Sequence, residues 1–348
     1  MRHIATLDGL RGLAAITVVL YHLLEVVPVL PQPPRAYLEV DFFFLLSGYV
    51  VGHAYDAKLR AGMGVRRFAA IRLIRLYPLI AAGVLLGAAV WLADTGRGYG
   101  PKQVAGAAAV ALLMLPVPRA NAGRAWPINN SLWSLAFELA GNFAYALAAP
   151  RLTTRALAIV TACLLPALAL TSWAADGLMV GPLWRWTLPL GLVRMAFPFA
   201  LGLLMARLAR PRSTLPAAGT LSALVLGTML WAPVADGTVY DPVAVVLVCP
   251  LILWLALHAA PGPRAAAVSG WAGALSYPVY ALHQPLVQAG GALALRLTPD
   301  RTGLALLAAA AILLVIALSW AALLLYDAPV RAWASRRWLR RPIAPLPA

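Results

Sequence analysis

The sequence predicts an all-α polytopic membrane protein: about ten transmembrane helices, one further re-entrant or interfacial segment, and both termini in the cytoplasm. Three observations carry this reading. Of 348 residues, 62% are hydrophobic and 11% charged, whereas a soluble domain of this size is about a quarter charged. Apolar stretches near 20 residues recur, the length a helix needs to cross a bilayer. The Lys and Arg residues collect at the ends of those stretches, as topology signals do. A net charge of +16 would suggest nucleic acid in a soluble chain, but cations placed this way do not.

Eleven candidate segments follow in order: 7–27, 38–56, 76–93, 103–118, 132–149, 154–172, 188–206, 216–232, 243–259, 271–294 and 303–325. The Pro-rich stretches 28–34 and 261–263 separate segments as turns, not linkers. The fourth segment decides the sides. With the N-terminus inside and all eleven crossing, Lys and Arg outside the buried Arg11 and Arg194 divide 12 inside to 14 outside. If 103–118 does not cross, the division is 18 to 8, which the positive-inside rule favours. The runs Lys58 to Arg75, Arg207/Arg210/Arg212 and Arg331/Arg336/Arg337/Arg340/Arg341 then lie inside, and Asp236 and Asp241 face out. Segment 103–118 is also the shortest and rich in alanine and glycine.

The chain divides into a transmembrane domain, 1–328, and a basic cytoplasmic tail, 329–348, expected on the inner leaflet. No internal repeat is evident. Asp8 and Arg11 interrupt the first apolar stretch, so it does not read as a cleavable signal peptide. Cys163 and Cys249 each sit in an apolar stretch without metal-ligand spacing, and no metal is expected.

The first segment carries two residues a plain anchor lacks. Arg11 and His22 are eleven positions apart, which at about 100° per residue places them on one stripe about 16 Å apart. Residue counting at about 1.5 Å per residue puts His22, Asp41, Glu138, Arg194 and His283 in the outer half of five different segments. Each is costly facing lipid, so a shared cavity is expected. Singly, each has an ordinary reading. An isolated His22 suits a structural histidine bonded to a backbone carbonyl, Asp41 and Glu138 suit the interface, and Arg194 suits a partner of one of them. Glu25, one turn after His22, reads better as interfacial than as its orienter. Together they suggest a general base held by a carboxylate, the arrangement that activates an alcohol.

On the inner side, Arg66, Arg67, Arg72 and Arg75 precede Tyr77-Pro78. The run reads as a stop-transfer signal or as a polyanion site for a cofactor phosphate, which Arg11 in the first segment extends upward, because guanidinium forks suit phosphate. Trp133, Ser134 and Asn142 lie near the outer mouth with Glu138. Ser276 to Pro285, which includes Tyr280 and His283, puts two prolines in one span and so frees carbonyls to line a cavity. Trp126, Trp133, Trp173, Trp184 and Trp186 fit an outer aromatic belt.

These pieces resemble the acyltransferase-3 family of integral-membrane O-acyltransferases. The resemblance rests on Leu7-Asp8-Gly9-Leu10-Arg11-Gly12-Leu13 leading to His22, Val40-Asp41-Phe42-Phe43-Phe44-Leu45-Leu46-Ser47-Gly48-Tyr49, and Arg72/Arg75 before Tyr77-Pro78. Leu132-Trp133-Ser134-Leu135 with Glu138, Ser276-Tyr277 through His283, and Tyr326-Asp327-Ala328-Pro329 complete it, in order over nearly the whole chain. It departs from the family pattern at Asp327, where Glu is usual, and at Leu139, where a second acidic residue is usual. The extracytoplasmic hydrolase-like domain that many members carry is not expected here.

The resemblance implies acyl transfer, often of acetyl, from cytoplasmic acyl-CoA to a hydroxyl of a glycan, glycolipid or small molecule, in the bacterial inner membrane. It implies His22 as the essential histidine, Arg11 as its partner, and Arg72 and Arg75 as donor-binding residues. The expected mechanism has His22 deprotonating the acceptor while Asp41 or Glu138 holds the imidazole. Arg194 steadies the oxyanion or a carboxylate, and Trp133, Ser134, Tyr280 and His283 contact substrate. An acyl-His22 intermediate stays open. The rival class is a proton-coupled transporter or flippase using the same buried charges, against which stands the lack of paired inverted repeats.

Overall fold

The computed structural model describes residues 4–94, 99–117, 123–183, 187–209, 214–297 and 300–339. Arg210, Arg212, Trp184, Trp186, Arg340 and Arg341 lie outside them. Within them the chain is helical, with a single isolated bridge between Arg124 and Leu183 in place of any sheet. The helices are α1 (Ala5–Val26), α2 (Glu39–Arg60), α3 (Val65–Ala93), α4 (Pro101–Leu112), α5 (Leu132–Ala148), α6 (Thr154–Ala174) and α7 (Thr187–Leu208). There follow α8 (Ala218–Leu230), α9 (Gly237–Val243), α10 (Cys249–Leu257), α11 (Pro263–Leu297), α12 (Arg301–Ala322) and α13 (Ala328–Trp338). A π-turn at Ala244–Val248 joins α9 to α10, and another at Leu323–Asp327 joins α12 to α13.

Six of these bodies are long and apolar enough to cross a membrane: α1, α3, α6, α7, α9–α10 taken together, and α12–α13. Their outer faces present apolar side chains with no protein against them. Leu306, Leu313 and Leu325 on α12 and its π-turn are 67–80% exposed, which water would not tolerate over so long a face. The segment expected at 103–118 forms only the twelve residues of α4, about 18 Å long and shorter than the hydrocarbon core. The helix expected over 216–232 is likewise short, the thirteen residues of α8. Of the residues expected to form a tail, those as far as Trp338 are helical, because α12 runs on through its π-turn into α13.

Two helix pairs form the frame of the interior, α1 against α11 and α2 against α7. Both approach closely at glycine. A Cβ on Gly48 would lie 2.1 Å from the Phe199 carbonyl oxygen, and one on Gly202 would lie 2.1 Å from that of Leu45. In lipid, where packing more than water exclusion joins helices, such small-residue contacts set the spacing. They fix α2 and α7 close enough for Asp41 and Arg194 to meet.

The two prolines of α11 act as the sequence suggests. Pro285 offers no N–H to the Ala281 carbonyl one turn earlier. Asn129, from the loop before α5, donates its Nδ2 to that oxygen at 2.8 Å. The break in α11 thus becomes a tie to α5, and it holds Tyr280 and His283 in place.

Candidate active site

Two cavities lie along the α1–α2–α5–α11 seam. The one toward the side expected to be cytoplasmic, named the inner chamber for that expectation, has about 790 Å³ with its mouth and is lined by Arg11, Ser47, Arg72, Arg75, Ser134, Glu138 and Tyr277 among apolar side chains. The outer one, about 880 Å³ with its mouth, includes His22, Glu25, Glu39, Arg124, Trp133, Arg194 and Gln284 in its wall. Val40 and Tyr280 face both. Ser134 donates to the Ser131 carbonyl, so the Tyr280 hydroxyl donates to Ser134 Oγ. One tyrosine and one valine therefore stand between the chambers, and the stripe on α1 contributes Arg11 to one chamber and His22 to the other.

The inner chamber is cationic. Arg72 is buried and donates through Nη2 to Glu138 Oε1 at 2.8 Å, and Ser47 Oγ donates to the same oxygen at 2.6 Å. Arg72 Nε has no partner among the described residues. Arg11 lies 3.7 Å from Asp8, and Arg75 is exposed on the rim. Arg66 and Arg67 are exposed and line neither chamber, as a topology signal would. Three guanidinium groups against the two carboxylates of Glu138 and Asp8, with a buried N–H unspent, suit a ligand carrying several phosphate charges.

This overturns one expectation. Glu138 does not meet His22; it belongs to the arginine chamber. Residue counting fixes depth only, and Arg72, two turns into α3, reaches far enough to capture a carboxylate seven residues into α5. Asp41 does not hold the imidazole either. It is fully buried in the first turn of α2 and receives a fork from Arg194, Nε to Oδ1 at 3.0 Å and Nη2 to Oδ2 at 2.6 Å. Arg194 also donates to the carbonyls of Val180 and Tyr37 and stacks on Trp133 at 5.5 Å. With its donors so committed, Arg194 holds the roof of the outer chamber and is poorly placed to greet an oxyanion.

Beside this pair lies a second one the sequence did not suggest. Asp241, expected to face out, is fully buried. It accepts from Arg35 Nη1 at 3.2 Å, from Tyr37 Oη at 2.7 Å and from the Leu178 backbone N–H at 2.7 Å. The two ion pairs tie the α1–α2 and α6–α7 loops to α2, α7 and α9. Trp126 and Trp133 are buried in this layer, so they are not part of a lipid-facing belt, whereas Trp173 is exposed.

His22 Nδ1 lies 3.0 Å from the Val18 carbonyl, the ordinary backbone bond foreseen for an isolated histidine. Its imidazole also meets that of His283, His22 Nδ1 to His283 Nε2 at 3.3 Å. Glu39 was missed by the sequence reading, although a second acidic residue two positions before Asp41 was the available signal. It is 1% exposed on the wall of the outer chamber, and its Oε2 has no partner among the described residues. A buried carboxylate in that state is a stability cost. Glu39→Gln is expected to raise the thermal midpoint in detergent by about 2 °C or more; an unchanged or lower midpoint would mean that the charge is already compensated.

A family model described as an acyltransferase domain matches residues 4–324. Protein 2 in the picA locus of Rhizobium radiobacter is 35% identical over 169 residues, 45% of this chain and 87% of that protein. No solved structure matches the chain.

Proposed function

Because this chain belongs to the acyltransferase-3 family and is a membrane acyltransferase, we propose that it moves an acyl group, acetyl in the first instance, from cytoplasmic acyl-CoA to an acceptor hydroxyl. The acceptor is a carbohydrate or another cell-envelope or secondary-metabolite molecule reached from the outer side. The observation that carries this is the meeting of two unlike chambers at Tyr280, one lined by Arg11, Arg72 and Arg75 and the other by His22. The charge asymmetry supports ten crossings in a bacterial inner membrane, both termini inside, with α4 on the outer side without crossing and 329–348 as a cytoplasmic tail.

In this reading the donor supplies an activated thioester, and the protein supplies position and a base. Arg72 and Arg75 hold the donor's phosphates, with Arg11 further up the chamber. Glu138 and Ser47 keep the Arg72 guanidinium from collapsing across the opening. Tyr280 gives way so that the two chambers communicate. His22 accepts the hydroxyl proton through Nε2 as the acceptor oxygen attacks. Trp133 and Glu39 shape the acceptor side, and the Asp41–Arg194 pair keeps that side open.

The test is acetyl-CoA binding and turnover by purified protein in detergent. Wild type is expected to bind, and Arg72→Ala/Arg75→Ala to weaken binding by roughly 10²- to 10⁴-fold, two lost charged contacts at about 1.5–3 kcal/mol each. Equal affinity in both proteins would remove the donor site from the inner chamber.

A further inference from the structure

Two histidines from opposite ends of the chain, His22 on α1 and His283 on α11, meet ring to ring with centroids 5.2 Å apart. Their main-chain neighbours fix where the protons are. His283 Nδ1 lies 2.9 Å from the Tyr280 carbonyl oxygen and 3.1 Å from that of Val279. A carbonyl oxygen only accepts, so Nδ1 of neutral His283 carries the proton and Nε2 carries the lone pair. His22 Nδ1 faces the Val18 carbonyl at 3.0 Å and so is also protonated. One arrangement satisfies all four contacts: His22 Nδ1–H is shared between Val18 and His283 Nε2, and His22 Nε2 is left basic.

We propose that His283 is a positioning residue that locks His22 in this tautomer and supports it while it holds the acceptor's proton. The proposal rests on the reading of His22 as general base. In the step, an acyl–oxygen bond forms as the acyl–sulfur bond breaks. The hydroxyl proton goes to His22 Nε2 and from there to the departing thiolate. While His22 is cationic, its Nδ1–H bond to His283 is charge-assisted and stronger than in the resting state. His283 keeps its own proton throughout. A neutral imidazole thus takes the place that a carboxylate occupies in a Ser-His-Asp triad, without adding a further anion to a buried site. His283 is fully buried and lines neither chamber, so it acts through His22, which revises its expected place as a substrate contact.

The chain has five histidines, few enough to resolve by ¹⁵N-histidine NMR of the full-length protein in nanodiscs. In wild type, His22 and His283 are each expected to show a protonated Nδ1 and an unprotonated Nε2, assigned by loss of signal in His22→Gln and His283→Gln. A protonated Nε2 on either ring would overturn the proposal in wild type alone, whether or not any variant folds. In His283→Leu the His22 signals are expected to move toward tautomer averaging. An unchanged His22 spectrum there would give the role to Val18 and overturn it too. On turnover, His283→Leu is expected to lose about 100-fold at unchanged acetyl-CoA affinity. His283→Gln, which can still accept the Nδ1–H bond, is expected to recover most of that; equal losses in both count against the proposal. Should wild type show the stated tautomers but no acyl-CoA turnover, the acyltransfer assignment of His22 fails and the histidine pair stands.

Discussion

His22→Ala is expected to lower acyl transfer by about 10²- to 10⁴-fold while leaving acetyl-CoA affinity unchanged. The magnitude is that of a positioned general base. The separation of the two effects follows from geometry, since His22 lines the outer chamber while Arg11, Arg72 and Arg75 line the inner one. The measurement is transfer of labelled acetyl by the purified variant, beside calorimetric binding of acetyl-CoA. A variant that keeps transfer within a factor of ten of wild type would remove His22 from the chemistry. One that loses binding as well would mean the chambers are not separate sites.

The second large effect falls on stability. Asp41→Ala leaves the Arg194 guanidinium buried without its counter-ion, and breaking such a pair costs about 3–5 kcal/mol. The expected result is a collapse in folded yield and a large drop in thermal midpoint in detergent. Replacing both partners together, Asp41→Leu with Arg194→Met, is expected to restore a good part of the loss, because no uncompensated charge remains. If Asp41→Ala keeps the wild-type midpoint and loses only transfer, Asp41 acts in the reaction, as the sequence suggested, and not in the scaffold.

Much of this was legible from residue order. Composition and segment length give an all-helical membrane chain. The position of Arg11 and His22 on one stripe assigns them to different depths, and the order of short motifs gives the family. Pro285 announces a break in its helix. What the order could not give is direction around each helix axis. Depth alone put His22, Asp41, Glu138, Arg194 and His283 in one zone, but Glu138 faces Arg72 and Asp41 faces Arg194. Glu39 escaped notice and Asp241 was placed facing out for the same reason, since acidic residues near the ends of apolar segments look interfacial until a neighbouring helix covers them.

The sequence by itself determined that the chain crosses a bilayer as helices and carries an Arg–His stripe through it. Apolar length and 3.6-residue periodicity are local properties, and nothing distant can cancel them. Only the tertiary structure decided which charge answers which. That depends on how the glycine-mediated contact of α2 with α7, and the packing of α1 on α11, rotate each helix about its axis. It set Arg194 against Asp41, Arg72 against Glu138 and His283 against His22, because in a medium without water each buried polar group must find its partner on a neighbouring helix.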